Sequence, residues 1–160
     1  MLDVLKSRMG ANMKIDWQRA AAYVIAFDAN RRVLLTQFEK CGYPKSWAWT
    51  LPGGGMEWAE QAHETALREL EEETGLIAEI GSLLGAQAEW FDELTSDFGQ
   101  RGLALRLIFE AKNCVGELKT DFSDDDTTAG AAWFSIEEVQ KLNRVEVVDF
   151  GLGLACPDYA

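Results

Sequence analysis

The 160-residue sequence predicts an α/β chain of the α+β kind, with strands on either side of one long central helix. Three observations carry the prediction. Residues 20–28 (AAAYVIAFD) and 32–38 (RVLLTQF) are rich in β-branched and aromatic side chains and are separated by a short polar break. Ala62, Ala66 and Leu70 recur every four residues and the pattern stops at Gly75, as in a helix with a left-handed terminal residue. Residues 102–112 (GLALRLIFEAK) form the strongest strand candidate of the second half.

Apolar residues make up 48% of the chain and charged residues 26%, which fits one soluble domain with a sizeable core. Residues 1–17 read as a lead-in, with Met9 and Met13 as alternative starts, and residues 18–160 as the single domain. Fifteen Lys and Arg against 27 Asp and Glu give a formal charge of -12, which argues against nucleic acid and anionic membrane as partners. A small phosphorylated molecule stays compatible, because a bound divalent cation reverses the local field. The three cysteines are widely spaced without a CxxC pair, so a reducing cytoplasm is expected rather than a disulfide framework or a zinc site. No apolar run approaches the ~20 residues of a membrane span.

Taken in order, residues 20–28 and 32–38 form a hairpin across Ala29, Asn30 and Arg31, with Asn30 suited to the left-handed region. Residues 39–49 hold Gly42, Pro44, Tyr43, Trp47 and Trp49 and lead into a short strand ending at Pro52. Trp47 and Trp49, two apart, share one face of an extended segment; packing on the sheet and a stacking platform for a ligand ring are both open. Gly53, Gly54 and Gly55 make a turn in which backbone groups can approach a ligand closely. The helix runs from Glu60 or Gln61 to Thr74, and His63 falls on its surface, away from the glutamates. Residues 76–87 read as a strand or a bent pair of strands. In residues 102–112, Arg106 is either solvated or turned into a cleft toward a phosphate. Residues 120–128 carry Asp121, Asp124, Asp125 and Asp126 in a loop before a short strand at 131–134. Ser135 and Glu138 form a capping box for a helix through Leu142, and residues 145–160 show no clear period.

The helix end breaks local rules. Four of the five residues from Glu69 to Glu73 are glutamates, and Glu69, Glu72 and Glu73 gather on one side. Like charges at i and i+4 oppose each other by a few tenths of a kcal/mol. Glutamates in a last turn also face the negative end of the helix dipole, at ~0.3–1 kcal/mol each. Arg68 relieves only part of this. A hard divalent cation such as Mg²⁺ or Mn²⁺, which prefers carboxylate and carbonyl oxygens, resolves the conflict.

Gly54, five residues, Glu60, seven residues, Arg68-Glu69-Leu70, one residue, Glu72-Glu73, one residue, Gly75-Leu76 matches the Nudix box at every defining position. On these 23 residues the chain resembles the Nudix hydrolase family, and a looser likeness extends over about residues 18–145. The resemblance implies a Nudix-type α/β/α sandwich with a mixed, largely antiparallel sheet and a loop-helix-loop box. It implies hydrolysis of a diphosphate bond in a nucleoside diphosphate derivative or nucleoside triphosphate, by water attack at phosphorus. It further implies metal ligation by Glu69, Glu72, Glu73 and the main-chain carbonyl of Gly53, orientation of the cluster by Arg68, and a fixing or ligating role for Glu60. Glu69 is the first choice of general base, and Asp124, Asp125 or Asp126 the second.

Substrate identity is not written in the box. Trp90 stands where ADP-ribose pyrophosphatases tend to have a proline, and Thr36-Gln37-Phe38 lack the arginine of nucleotide-sanitising relatives. Trp47 and Trp49 are candidates for base stacking, and Lys45, Arg101 and Arg106 for phosphate contact. The expected partner is a small phosphorylated molecule, a nucleotide by class, with a homodimer open. The alternative to an enzyme is a Nudix-like module that senses a nucleotide without turning it over.

Overall fold

The computed structural model describes residues 15–40, 46–92, 99–123 and 128–159. Among them the strands are β1 (Trp17–Ala26), β2 (Val33–Lys40), β3 (Ser46–Thr50), β4 (Gly53–Gly55), β5 (Ile77–Phe91), β6 (Gly102–Val115) and β7 (Thr128–Phe134). The helices are α1 (Ala62–Thr74), α2 (Ile136–Val139) and α3 (Glu146–Ala155). One sheet has the order β4-β1-β6-β5 and the other β3-β2-β7. Among the described strands only β1 and β6 pair in parallel, so the assembly is mixed and largely antiparallel.

β1 holds the layers together. From Ala21 to Ala26 nearly every residue is buried, which means both faces of the strand are covered. Ala22, Val24 and Ala26 pack with Leu34 of β2 and with Ala66 and Leu70 of α1. Ile25 faces the other way, with Leu35, Ile108 and the α3 residues Val147, Val148 and Leu152. The alanines on both β1 and α1 let the helix lie close to the strand, which brings its glutamate end to the sheet.

Four expectations change. The first two strands do not form a hairpin ladder: beyond one isolated bridge, Phe27 to Val33, they enter different sheets. The polar break between them is still a tight turn, because the Asp28 carboxylate accepts the N–H groups of Asn30 and Arg32. Its left-handed residue is Arg31 (φ 58°) rather than Asn30. The triple glycine is a short strand, not a turn, paired antiparallel to β1 with Ala22 opposite Gly54. The last helical expectation divides as well: α2 stops at Val139, and residues 146–155, read as aperiodic, form α3. Gly151 and Gly153 interrupt the apolar pattern of that helix, yet Val147, Val148, Gly151 and Leu152 make one buried face. Gly151 is needed there because a Cβ would stand 2.7 Å from Leu51 Cδ1.

α1 ends as anticipated, with Gly75 left-handed (φ 75°) and its N–H bonded to the Glu71 carbonyl. Its start is closed by Glu64, whose carboxylate accepts the Gln61 N–H at 2.8 Å. The second capping box is formed as well, with Ser135 N–H donating to Glu138 Oε2 and Glu138 N–H to Ser135 Oγ. No helix among the described residues is long and apolar enough to cross a membrane.

Gly53 lies at φ 148°, and a Cβ there would sit 2.4 Å from the Ala22 carbonyl oxygen. Gly53→Ala is therefore expected to lower folding stability by roughly 1–3 kcal/mol, read as a fall in the urea midpoint.

Candidate functional site

The site forms where β4 meets the glutamate side of α1. Between them the chain turns through Ala59, which is left-handed (φ 68°), and Glu60 folds back so that its Oε2 accepts the Glu57 N–H at 2.9 Å. The same oxygen accepts the Thr65 hydroxyl at 2.6 Å. Glu60 is thus bonded both to its own turn and to the first turns of the helix.

Arg68 occupies the centre. Its Nε and Nη2 donate to the two oxygens of Glu60 at 2.7 and 3.1 Å, a bidentate fork. Nη1 donates to Glu69 Oε1 and to Glu72 Oε2, both at 3.0 Å. Nη2 also reaches the Gly55 carbonyl at 3.4 Å, which ties the fork to β4. Hydrogen bonds from Arg68, Thr65 and the Glu57 N–H hold the Glu60 carboxyl down at about 2. The Arg68 guanidinium is raised in turn, chiefly by Glu60.

Glu69 is the desolvated member of the group. Burial pushes its carboxyl above the ordinary range, against the opposing pull of Arg68. The space it occupies exists because residue 54 is glycine: a Cβ there would lie 2.5 Å from Glu69 Oε1. Glu72 is more open, with its side chain 59% exposed. Glu73 is held from outside the fork. Its Oε2 accepts the Gly53 N–H at 3.1 Å and the Thr36 hydroxyl at 3.2 Å, and its Oε1 accepts the Thr128 hydroxyl at 3.5 Å. Glu71 is exposed, and its carbonyl closes the helix end. Lys119, arriving from beyond β6, caps that end by donating its Nζ to the Glu72 carbonyl and its N–H to the Thr74 carbonyl.

The arrangement suits a hard cation. Four carboxylates stand against the Arg68 guanidinium and the nearby Arg19, and every ligating atom is oxygen. The Glu69 carboxylate packs directly against Gly54, in the place a Cβ would take. Among the described residues, no three His, Cys, Asp or Glu side chains converge to hold an ion; Arg68 binds Glu60, Glu69 and Glu72, and Thr36 and Gly53 bind Glu73.

The residues expected to meet substrate separate. Arg106 is neither solvated nor free, since it forms an ion pair with Glu89 and donates to Gln87 Oε1 at 3.4 Å. Beside it the half-buried Tyr23 has its phenol raised by desolvation, against the pull of Arg106 and Arg19. Trp47 is 48% exposed, whereas Trp49 packs edge-on against Phe134 with centroids 4.7 Å apart. Arg101 joins β1 through its backbone, bonding Asp16 and Trp17. Lys45, Asp124, Asp125 and Asp126 lie outside the described residues. His63 is exposed, and Trp58, in the turn before the helix, is 97% exposed.

Three residues near the glutamates escape sequence reasoning. Arg19 of β1 lies over Gly55, where a Cβ would be 2.7 Å from its Nε, and its charge lowers the Glu69 carboxyl. Thr36 and Thr128 belong to the second sheet. The signal for all three is strand register, which no local pattern reveals.

Glu69→Gln should raise the melting temperature measured in chelator, because ionised Glu69 opposes the folded state. That advantage should be absent below the ordinary carboxylate range and grow as pH rises through the raised value of Glu69, as a calorimetric pH series would read.

The chain matches the NUDIX domain family model over residues 17–150. It is 28% identical over 139 residues to the ADP-ribose pyrophosphatase of Methanocaldococcus jannaschii, covering 87% of this chain and 75% of that one. It is 32% identical over 126 residues to the diphosphoinositol polyphosphate phosphohydrolase 3-alpha of Mus musculus, covering 78% and 68%. Among solved structures it resembles a NUDIX hydrolase from Nitrosomonas europaea, with a TM-score of 0.71, 21% identity and coverage of 89% and 90%. With the box residues assembled between β4 and α1 and the family model spanning most of the chain, the protein belongs to the NUDIX domain family and is a Nudix pyrophosphohydrolase.

Proposed function

We propose that the protein hydrolyses a diphosphate bond in a nucleoside diphosphate derivative or nucleoside triphosphate with the help of Mg²⁺ or Mn²⁺. The observation that carries the reading is the Arg68 fork: one guanidinium aligns Glu60, Glu69 and Glu72 beside a glycine strand that also holds Glu73. The relatives named for ADP-ribose and for diphosphoinositol polyphosphates support a diphosphate linked to a polar organic group.

Glu69, Glu72, Glu73 and the Gly53 carbonyl would hold the cation, which when bound neutralises diphosphate oxygens and lowers the pKa of water. The chain's own work is orientation and proton transfer. Arg68 keeps Glu69 and Glu72 on the β4 side of the helix, so that water can be placed in line with the scissile P–O bond. Glu69 is the first choice of base, since its carboxylate lies against Gly54, on the β4 side where the cation and its water would be held. Water forms the new P–O bond, its proton passes to Glu69, and the bridging oxygen departs with the leaving phosphate group. Asp124, Asp125 or Asp126 is the second choice of base. The exposed Arg19 and Trp47, with Lys45, are proposed to contact phosphate and the organic group, and Arg106 to join them on leaving its pair with Glu89. A small-molecule site of this kind needs neither nucleic acid nor membrane.

The test is a screen with Mg²⁺ or Mn²⁺ against nucleoside triphosphates, nucleotide sugars, ADP-ribose, NADH and dinucleoside polyphosphates, read as phosphate or mononucleotide release. Turnover of at least one is expected, and Glu72→Gln should lose roughly 10²-fold or more of it. Tight nucleotide binding without turnover across the panel would instead identify a sensing module. Full activity in Glu72→Gln would overturn the metal assignment.

A further inference from the structure

Of the box glutamates, Glu73 depends most on a distant part of the chain. Arg68 bonds Glu60, Glu69 and Glu72, and Glu73 is bonded instead by the Thr36 hydroxyl of β2, the Thr128 hydroxyl of β7 and the Gly53 N–H. Both hydroxyl-bearing residues are buried, Thr36 at 1% and Thr128 at 3% exposure. A β-branched side chain in a strand has a stiff χ1, so each hydroxyl oxygen is fixed in place and its O–H turns to the carboxylate. The two strands are neighbours in the three-stranded sheet, and the two threonines approach different oxygens of the same carboxylate.

We infer that Thr36 and Thr128 are positioning residues for the metal site: their hydroxyls, one on each carboxylate oxygen, hold Glu73 where a cation meets it. Glu73 needs such restraint. It lies in the last turn of α1, where the helix dipole opposes a carboxylate, and it shares a helix face with Glu69 and Glu72. A free glutamate side chain loses rotamer entropy on being fixed. Donors already aimed at the carboxylate lower what a cation must supply. The bond from Gly53 N–H adds a second consequence, since the same carboxylate steadies the peptide preceding the carbonyl assigned to the cation. The second sheet thereby takes part in a site whose recognised residues all come from β4, α1 and the turn between them.

This inference rests on the reading that the box holds a divalent ion, and Mn²⁺ alone is the probe. Binding is measured by electron paramagnetic resonance of free Mn²⁺ on the full chain, beside thermal unfolding in chelator and steady-state kinetics on a substrate from the panel. Thr36→Val keeps the shape and removes the donor; it should weaken Mn²⁺ binding by about 10-fold, and Thr36→Ser should restore it to within about twofold. Thr128→Val, losing the longer bond, should weaken binding by about threefold and serves alone if Thr36→Val does not fold. In both valine variants the metal concentration for half-maximal rate should rise, with the rate at saturating metal less affected. Mn²⁺ affinity unchanged in both valine variants would overturn the inference. So would a loss that tracks a lower melting temperature and is not rescued by serine. Failure of the unsubstituted protein to bind Mn²⁺ would overturn the metal reading beneath it.

Discussion

The Arg68 guanidinium is the interaction on which the rest of the site depends. Four glutamates in five residues at the end of a helix repel one another and the helix dipole, and a conformation that gathers them needs a cation within the protein itself. Arg68 supplies it at 2.7–3.1 Å to Glu60, Glu69 and Glu72. Because its side chain is only 24% exposed, the fork is partly shielded from water and holds its geometry better than a surface pair. Its further contact with the Gly55 carbonyl makes the helix and β4 one unit.

The glycines of β4 are the steric counterpart of that charge arrangement. Each of the first two removes a different clash: Gly53 spares the β1 backbone and Gly54 spares the Glu69 carboxylate. The strand can therefore pair with β1 on one side and accept partly buried carboxylates on the other. Burial of Glu69 costs stability, and its raised carboxyl is the sign of that cost. Local violation of ordinary rules, supported by a surrounding shell, is the usual condition of a site adapted to chemistry rather than to stability.

Much of this was legible along the chain. The spacing of Gly54, Glu60, Arg68, Glu69, Glu72, Glu73 and Gly75 is local, because a helix of fixed pitch converts sequence separation into direction. The end of α1 at Gly75 and the capping box at Ser135 and Glu138 follow from backbone chemistry within a few residues. α3 was not legible, since Gly151 and Gly153 weaken its apolar period and only the packing against Leu51 and Ile108 explains the first of them. The role of the triple glycine as a strand was equally hidden, because a strand without side chains has no pattern of its own.

The sequence by itself determined the identity of the box, the length and end of its helix, and the gathering of Glu69, Glu72 and Glu73, all through interactions spanning fewer than two dozen residues. Tertiary structure alone decided that the first two strands part into different sheets, that Arg106 meets Glu89, and that Arg19 stands over Gly55. It also decided that Thr36 and Thr128 grip Glu73 from 37 and 55 residues away. The physical reason is the difference between the two kinds of order. Helix geometry is set by bonds to the fourth residue along, whereas strand partners are chosen by which faces can be buried together, and that choice belongs to the whole chain.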